Sequence, residues 1–319
     1  MIFEKQIVNM YKGMMHTRCD DTETVFYFSA DDFPGLEKQS ITFNSSLGHT
    51  LEGYLYQYEG AREDRLIVFD HGFGGGHRAY MREIDVLAKN GYKVFAYDHT
   101  GCMESGGETP RGLSQSLCDL NDCITMLKED ERFSGLDISV MGHSWGAFST
   151  LNITALHPEI SHIVAMCGFV SVEEMVGIFF SGILKPYRKA IYALERETNP
   201  HFVSYNAVKT LSESNTKALL IYSDDDMMCR HKHYEILKAG LEGRKNIDFL
   251  YVSGKGHNPN YTREAVKYLG EFGRARAKIA RNKRATVEDK ARFVASYDWQ
   301  RMTEQDEAVW KVILEHLEK

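Results

Sequence analysis

A chain of 319 residues exceeds the usual single-domain size but suits an α/β unit, since such units run to about 250 residues or more, so one large domain with appendages is expected. With 43% hydrophobic residues, 26% charged residues and only 6 prolines, long disordered tracts are excluded. A formal charge of -7 gives no reason to expect a polyanionic partner, which sets nucleic acid aside.

The chain opens Met1-Ile2-Phe3-Glu4-Lys5-Gln6, where charges break the apolar residues, so neither a secretory segment nor a membrane span is expected and a cytoplasmic location follows. Six cysteines are scattered without C-x-x-C spacing, so disulfides are not expected. Residues 1–37 form an N-terminal extension in this reading. Residues 38–44 and 49–58 alternate in strand fashion around Ser46-Leu47-Gly48-His49, which predicts a leading β-hairpin. From Leu66 onward short apolar runs recur at 66–69, 94–97, 138–141, 163–166, 218–222 and 247–252, most of them reading as buried parallel strands. Helical spacing at 78–89 and 112–129 alternates with them, so right-handed βαβ crossovers and a sheet covered on both faces are expected. The apolar, aromatic stretch at about 170–205 interrupts that rhythm and predicts a helical cap. The main domain therefore spans 38–272. A basic C-terminal extension, 273–319, ends in a helix beginning near Thr303, expected to pack on its own domain rather than on an anionic surface.

Gly142-His143-Ser144-Trp145-Gly146 follows a predicted strand and precedes a predicted helix from Ala147 to His157. A serine on so sharp a turn projects its hydroxyl above the sheet, and flanking glycines permit the backbone to turn. A serine hydroxyl needs a base to take its proton. His257, in the glycine-rich loop Ser253-Gly254-Lys255-Gly256-His257 after the last predicted strand, suits that role. The acid that orients the imidazole is expected after the strand at 218–222, where Asp224, Asp225 and Asp226 stand in a row. The usual spacing selects Asp226, with Asp225 second, and the spare carboxylates read as solvated charges or helix caps. Two backbone N–H groups are required for an oxyanion, and Phe73, in His71-Gly72-Phe73-Gly74-Gly75-Gly76, and Trp145 occupy the places that would supply them. His71 is then structural.

With its HGFGG loop, GHSWG elbow, SDDD acid loop and GKGH histidine loop, the chain resembles the α/β-hydrolase superfamily over residues 38–272. Asp98-His99-Thr100-Gly101-Cys102-Met103-Glu104-Ser105-Gly106 is similar to that family's turn after strand four, with Met103 replacing a glycine. Within the superfamily it resembles capped esterases, monoacylglycerol-lipase-like enzymes and serine aminopeptidases. The resemblance implies an α/β fold with a mostly parallel central sheet, and a serine hydrolase cleaving an ester through Ser144, His257 and Asp226. No cofactor and no metal are needed. The implied partner is a small-molecule ester or amide with a hydrophobic part, and homo-oligomerisation is left open.

Rival readings attach to particular residues. A serine peptidase or aminopeptidase would use the same machinery, with Glu173-Glu174 holding a substrate amine. Gly74-Gly75-Gly76-His77-Arg78-Ala79 followed by Asp98 fits a dinucleotide fingerprint, the signature of an oxidoreductase, although a β-hairpin ahead of it is out of place there. A non-catalytic module on this fold would leave the three triad positions unexplained. His231-Lys232-His233 reads as a charged helix start rather than a metal site.

Overall fold

Residues 3–319 are described by a computed structural model. Among them eight strands form one sheet: β1 (Glu37–Asn44), β2 (Thr50–Gln57), β3 (Arg65–Asp70), β4 (Lys93–Tyr97), β5 (Asp137–His143), β6 (His162–Met166), β7 (Lys217–Ser223) and β8 (Ile247–Val252). Their order is β1-β2-β4-β3-β5-β6-β7-β8. The first two strands form the expected antiparallel hairpin, β2 pairs antiparallel with β4, and β3 to β8 run parallel.

Successive side chains of the parallel strands enter different apolar layers, as period-2 geometry requires. Leu66, Val68, Val140, Ile163, Ala165 and Leu220 belong to one buried cluster, while Ile67, Phe69, Met141, Val164, Met166 and Ile221 belong to the other. Both faces must therefore be covered. The helices are α1 (Glu4–Met15), α2 (Met81–Lys89), α3 (Gln115–Glu129), α4 (Trp145–Asn152), α5 (Val172–Phe179), α6 (Arg188–Thr198), α7 (Ala207–Glu213), α8 (His231–Gly240), α9 (Arg263–Arg281), α10 (Val287–Ala295), α11 (Trp299–Met302) and α12 (Glu307–Leu317). Leu117, Leu120, Ile124 and Leu127 of α3 and Phe148 and Leu151 of α4 join the first cluster; Ile84 and Leu87 of α2 and Val309, Trp310, Ile313 and Leu317 of α12 join the second.

Several boundaries differ from the sequence expectation. The helix expected at 78–89 begins with a 3-10 turn, His77–Tyr80, and becomes α-helical at Met81. The helix expected from residue 112 begins at Gln115, because Gly112 takes a φ of 86° that no helix accepts. Position 273 falls inside α9, which runs unbroken from Arg263 to Arg281. The final helix begins at Glu307, capped by Asp306, and covers the sheet rather than standing beyond its core.

The 170–205 stretch carries α5, a 3-10 turn at Gly182–Tyr187 and α6. It is tied to the N-terminal extension by a hydrogen bond from the Tyr11 hydroxyl to Glu195 Oε1 at 2.6 Å. Glu195 is buried and also accepts from the Leu113 N–H at 2.8 Å; burial raises its carboxyl to about 7. No helix among the described residues is long and apolar enough to cross a membrane.

Candidate active site

Ser144 stands between the last residue of β5 and the first of α4, with φ 56° and ψ -110°. A non-glycine residue held at positive φ is backbone strain of the kind that accumulates at functional turns. Tight packing enforces it. A Cβ added at Gly146 would lie 2.1 Å from the Asp70 carbonyl oxygen, and one at Gly142 would lie 2.3 Å from Thr150 Oγ1. Those two glycines let α4 cross directly over the ends of β3 and β5.

Asp226 and His257 meet at the sheet's edge, His257 Nδ1 lying 2.8 Å from Asp226 Oδ2. Asp226 Oδ1 accepts the N–H groups of Met228 at 2.7 Å and Cys229 at 3.1 Å. Burial opposes its charge, but the His257 hydrogen bond and charge and the Met228 N–H hold the carboxyl below the ordinary range. Asp226 is thus ionised, so Nδ1 carries the proton and Nε2 is left as the acceptor. The other two aspartates turn elsewhere. Asp225 Oδ1 accepts from the Gly256 N–H and from the Ser223 hydroxyl, both at 2.7 Å, and Asp224 Oδ1 accepts from the Gly254 N–H at 3.0 Å. Both are exposed, as expected of spare carboxylates, and neither caps the helix that starts at His231; each also accepts an N–H of the histidine loop. Ser144 and the His257 ring are not hydrogen-bonded to one another here, a looseness common before substrate closes such a site.

Phe73 and Trp145 lie together, their rings 5.1 Å apart edge to face. Trp145 is the first residue of α4, and the first N–H groups of a helix lack intrahelical partners. Behind the loop His71 is held on both sides, with Nδ1 donating to the Gly72 carbonyl at 2.8 Å and Nε2 accepting from the His99 N–H at 3.0 Å. His99 itself is fully buried between Asp70, at 2.7 Å, and Asp119, at 3.3 Å. Burial pulls its imidazolium down, yet the two aspartates outweigh that effect and raise it to about 9.

Sequence reasoning missed a hydrogen-bonded chain that joins the HGFGG, GHSWG and GKGH loops. The Gly72 N–H donates to the Tyr80 hydroxyl at 3.0 Å, and that hydroxyl lies 2.8 Å from His143 Nδ1. His143 Nε2 lies 2.6 Å from the His257 carbonyl, which can only accept, so Nε2 bears the proton and Nδ1 accepts from Tyr80. Burial and the neighbouring His257 charge lower His143 to about 3, consistent with a neutral ring. The elbow signature marks position 143 as variable, so spacing alone carried no signal for this role. Tyr80→Phe is expected to leave the Gly72 N–H and His143 Nδ1 unpaired, costing about 1–3 kcal/mol in melting experiments. Cys167 was missed too: its sulfur lies within 4.8 Å of an Asp226 oxygen, and burial and the Asp226 charge raise its thiol well above the ordinary range.

Residues 61–250 match the sequence profile of the family described as serine aminopeptidase, S33, which is more than half of the chain. The chain belongs to that family. This S33-family protein is 25% identical to the uncharacterised protein YqkD of Bacillus subtilis over 250 residues, covering 75% of this chain and 79% of the relative. Among solved structures it resembles a Pyrococcus furiosus esterase, Pf2001, at TM-score 0.60 and 18% identity, covering 83% of this chain and 97% of that one. It also resembles an acetyl xylan esterase from Paenibacillus sp. R4 at TM-score 0.56 and 17% identity, covering 86% and 93%. The fold is that of the α/β hydrolases, and the family is one of hydrolases.

Other motifs of the S33-family chain resolve differently. Asp98, which the dinucleotide reading needs free for a ribose, is buried and accepts from the His77 backbone N–H and lies 2.8 Å from His77 Nδ1. His231 lies 2.5 Å from the Tyr251 hydroxyl, while His233 is buried and accepts from the Val170 N–H at 3.3 Å, so the two histidines face different surroundings. Glu174 is paired with Lys232 at 2.7 Å. Cys167, Asp226 and His257 each place one potential ligand atom within 4.8 Å of the others, but the thiol is held protonated and the other two are already hydrogen-bonded.

Proposed function

We propose that this protein is a serine hydrolase cleaving a carboxylic ester. The observation that carries this reading is the 2.8 Å contact of ionised Asp226 with His257, on a loop adjoining strained Ser144 at the start of α4. In this mechanism His257 Nε2 takes the Ser144 proton as Oγ attacks the carbonyl carbon, and Asp226 stabilises the imidazolium that forms. The Phe73 and Trp145 N–H groups hold the tetrahedral oxyanion. His257 then returns the proton to the leaving oxygen, and water, activated by the same imidazole, releases the acid. The esterases among the similar solved structures support ester over amide. The family's description favours a peptidase, but Glu174, one of the two carboxylates that reading needs, is neutralised by Lys232.

The test pairs a short-chain p-nitrophenyl ester with an aminoacyl p-nitroanilide, and labels the protein with a fluorophosphonate. Ester turnover and stoichiometric labelling, both lost in Ser144→Ala, are expected. Preferential anilide cleavage would instead assign a peptidase, and absence of labelling in the wild type would remove the serine nucleophile.

A further inference from the structure

The N- and C-terminal segments do more than flank the hydrolase core. Together they wall a cavity of about 220 Å³ against the loop at residues 71–76, its lining drawn from Phe73 and Gly74 of that loop, Tyr27 and Phe28 of the N-terminal segment, and Phe272 and Trp299 of the C-terminal one. Asn258, the residue after His257, also lines it. A second cavity of about 780 Å³ shares Val25, Phe26, Tyr27, Arg78 and Trp299 with the first, so the two make one cleft. Phe26, Tyr27, Phe272 and Trp299 line it among aliphatic and polar residues, a mixture suited to a flat apolar ligand fixed by a few polar groups.

Arg78 lines both parts of the cleft. Its Nε and Nη2 donate to the carbonyls of Phe28 and Tyr27 at 3.1 and 3.2 Å, and no carboxylate among the described residues forms an ion pair with it. The other arginine of the smaller cavity, Arg276, is neutralised by Asp21 at 2.5 Å. Lys290, in the larger one, is paired with Glu23. Arg78 is therefore a half-buried guanidinium without a counter-charge, held in place by two carbonyls and facing aromatic walls. Half-buried cations are ordinarily paired, and a guanidinium fork matches a carboxylate.

We propose that this cleft is a substrate subsite for an aromatic carboxylate, with the acid group on Arg78 and the ring body between Tyr27, Phe272 and Trp299. The ester hydrolysed would then carry a free carboxylate on the part seated in the cleft. This assignment rests on the hydrolase reading for its role in turnover, whereas binding of the acid does not depend on catalysis.

The probes are 2-naphthoate and its neutral counterpart 2-naphthalenemethanol, titrated calorimetrically into full-length Ser144→Ala. Naphthoate is expected to bind about tenfold or more tightly than the alcohol, and Arg78→Gln to remove that preference while leaving the alcohol unchanged. Arg78→Lys, which keeps the cation, is expected to retain part of the preference, and a naphthoate-induced rise in melting temperature of the otherwise unaltered chain provides a measurement independent of any substitution at Arg78. With wild-type enzyme and p-nitrophenyl acetate, naphthoate is expected to raise KM without changing kcat. Equal binding of acid and alcohol, or naphthoate affinity unmoved in Arg78→Gln, overturns the proposal. Arg78-dependent binding that leaves p-nitrophenyl acetate turnover untouched overturns the subsite role. Arg78-dependent binding in a protein that hydrolyses no ester supports the acid site and overturns the ester-hydrolase reading instead.

Discussion

Asp226→Asn is expected to lower kcat/KM for a p-nitrophenyl ester by about 10⁴-fold, with melting temperature little changed. The asparagine oxygen keeps the acceptor that meets the Met228 and Cys229 N–H groups, so the loop retains its shape. What is lost is the charge opposite His257 Nδ1. A neutral amide neither stabilises the imidazolium nor holds the proton on Nδ1, and the wrong tautomer presents no free acceptor to Ser144. Asp225→Asn provides the contrast. Its side chain holds Ser223 and Gly256 rather than the imidazole, and a loss of no more than about tenfold is expected from a displaced loop. Steady-state kinetics of both variants decide the assignment: a larger loss in Asp225→Asn would transfer the acid's role to that residue.

His99→Ala is expected to be the most destabilising single change, about 3–5 kcal/mol by denaturant unfolding. It removes the cation between two buried aspartates, Asp70 and Asp119, leaving them only neutral donors, Tyr97 and Ser149 on Asp70 and Thr100 and Gln115 on Asp119. A pH signature distinguishes this from simple loss of packing. His99 is raised from 6.5 to about 9 in the folded protein, so its contribution is complete below pH 6.5 and is lost as pH rises through about 9. Between pH 7.5 and 8.5 the folded state holds a proton that the unfolded chain has released, and stability falls by about 1.4 kcal/mol per pH unit from this group. In that window the buried carboxyls of Glu83 and Glu195, both raised to about 7 chiefly by burial, add little further slope. The slope should become shallower by about that amount in His99→Ala, the remainder coming from the raised thiols of Cys102, Cys118, Cys123, Cys167 and Cys229, which stay protonated while the unfolded chain begins to release theirs; an unchanged slope would mean that His99 is not a buried imidazolium.

The two residues also mark how far the chain could be read beforehand. Asp226 was legible because the acid loop has a fixed spacing from its strand, and that spacing is set by the backbone. His99 was visible only as part of a turn resembling the family's, since neither of its aspartates is near it in sequence. Asp70 ends β3 and Asp119 lies in α3, and only their convergence turns a buried histidine into a cation. Tyr80 and His143 were hidden for the same reason, each being ordinary until Gly72 and the His257 carbonyl are brought beside them.

Local and periodic features were therefore determined by the sequence itself: the runs of apolar residues that become β3 to β8, the hairpin ahead of them, and the loops carrying Ser144, Asp226 and His257 in chain order. Such features depend on backbone geometry within a few residues, which short-range patterns encode. Tertiary structure alone decided that Asp224 and Asp225 grip the histidine loop, that α12 covers the sheet, and that the two terminal segments enclose a cleft against the loop at residues 71–76. Those outcomes depend on contacts between residues as far apart as Phe26 and Trp299. Nothing in the residues near either position encodes such a meeting, because burial and charge pairing are settled only when the whole chain has packed.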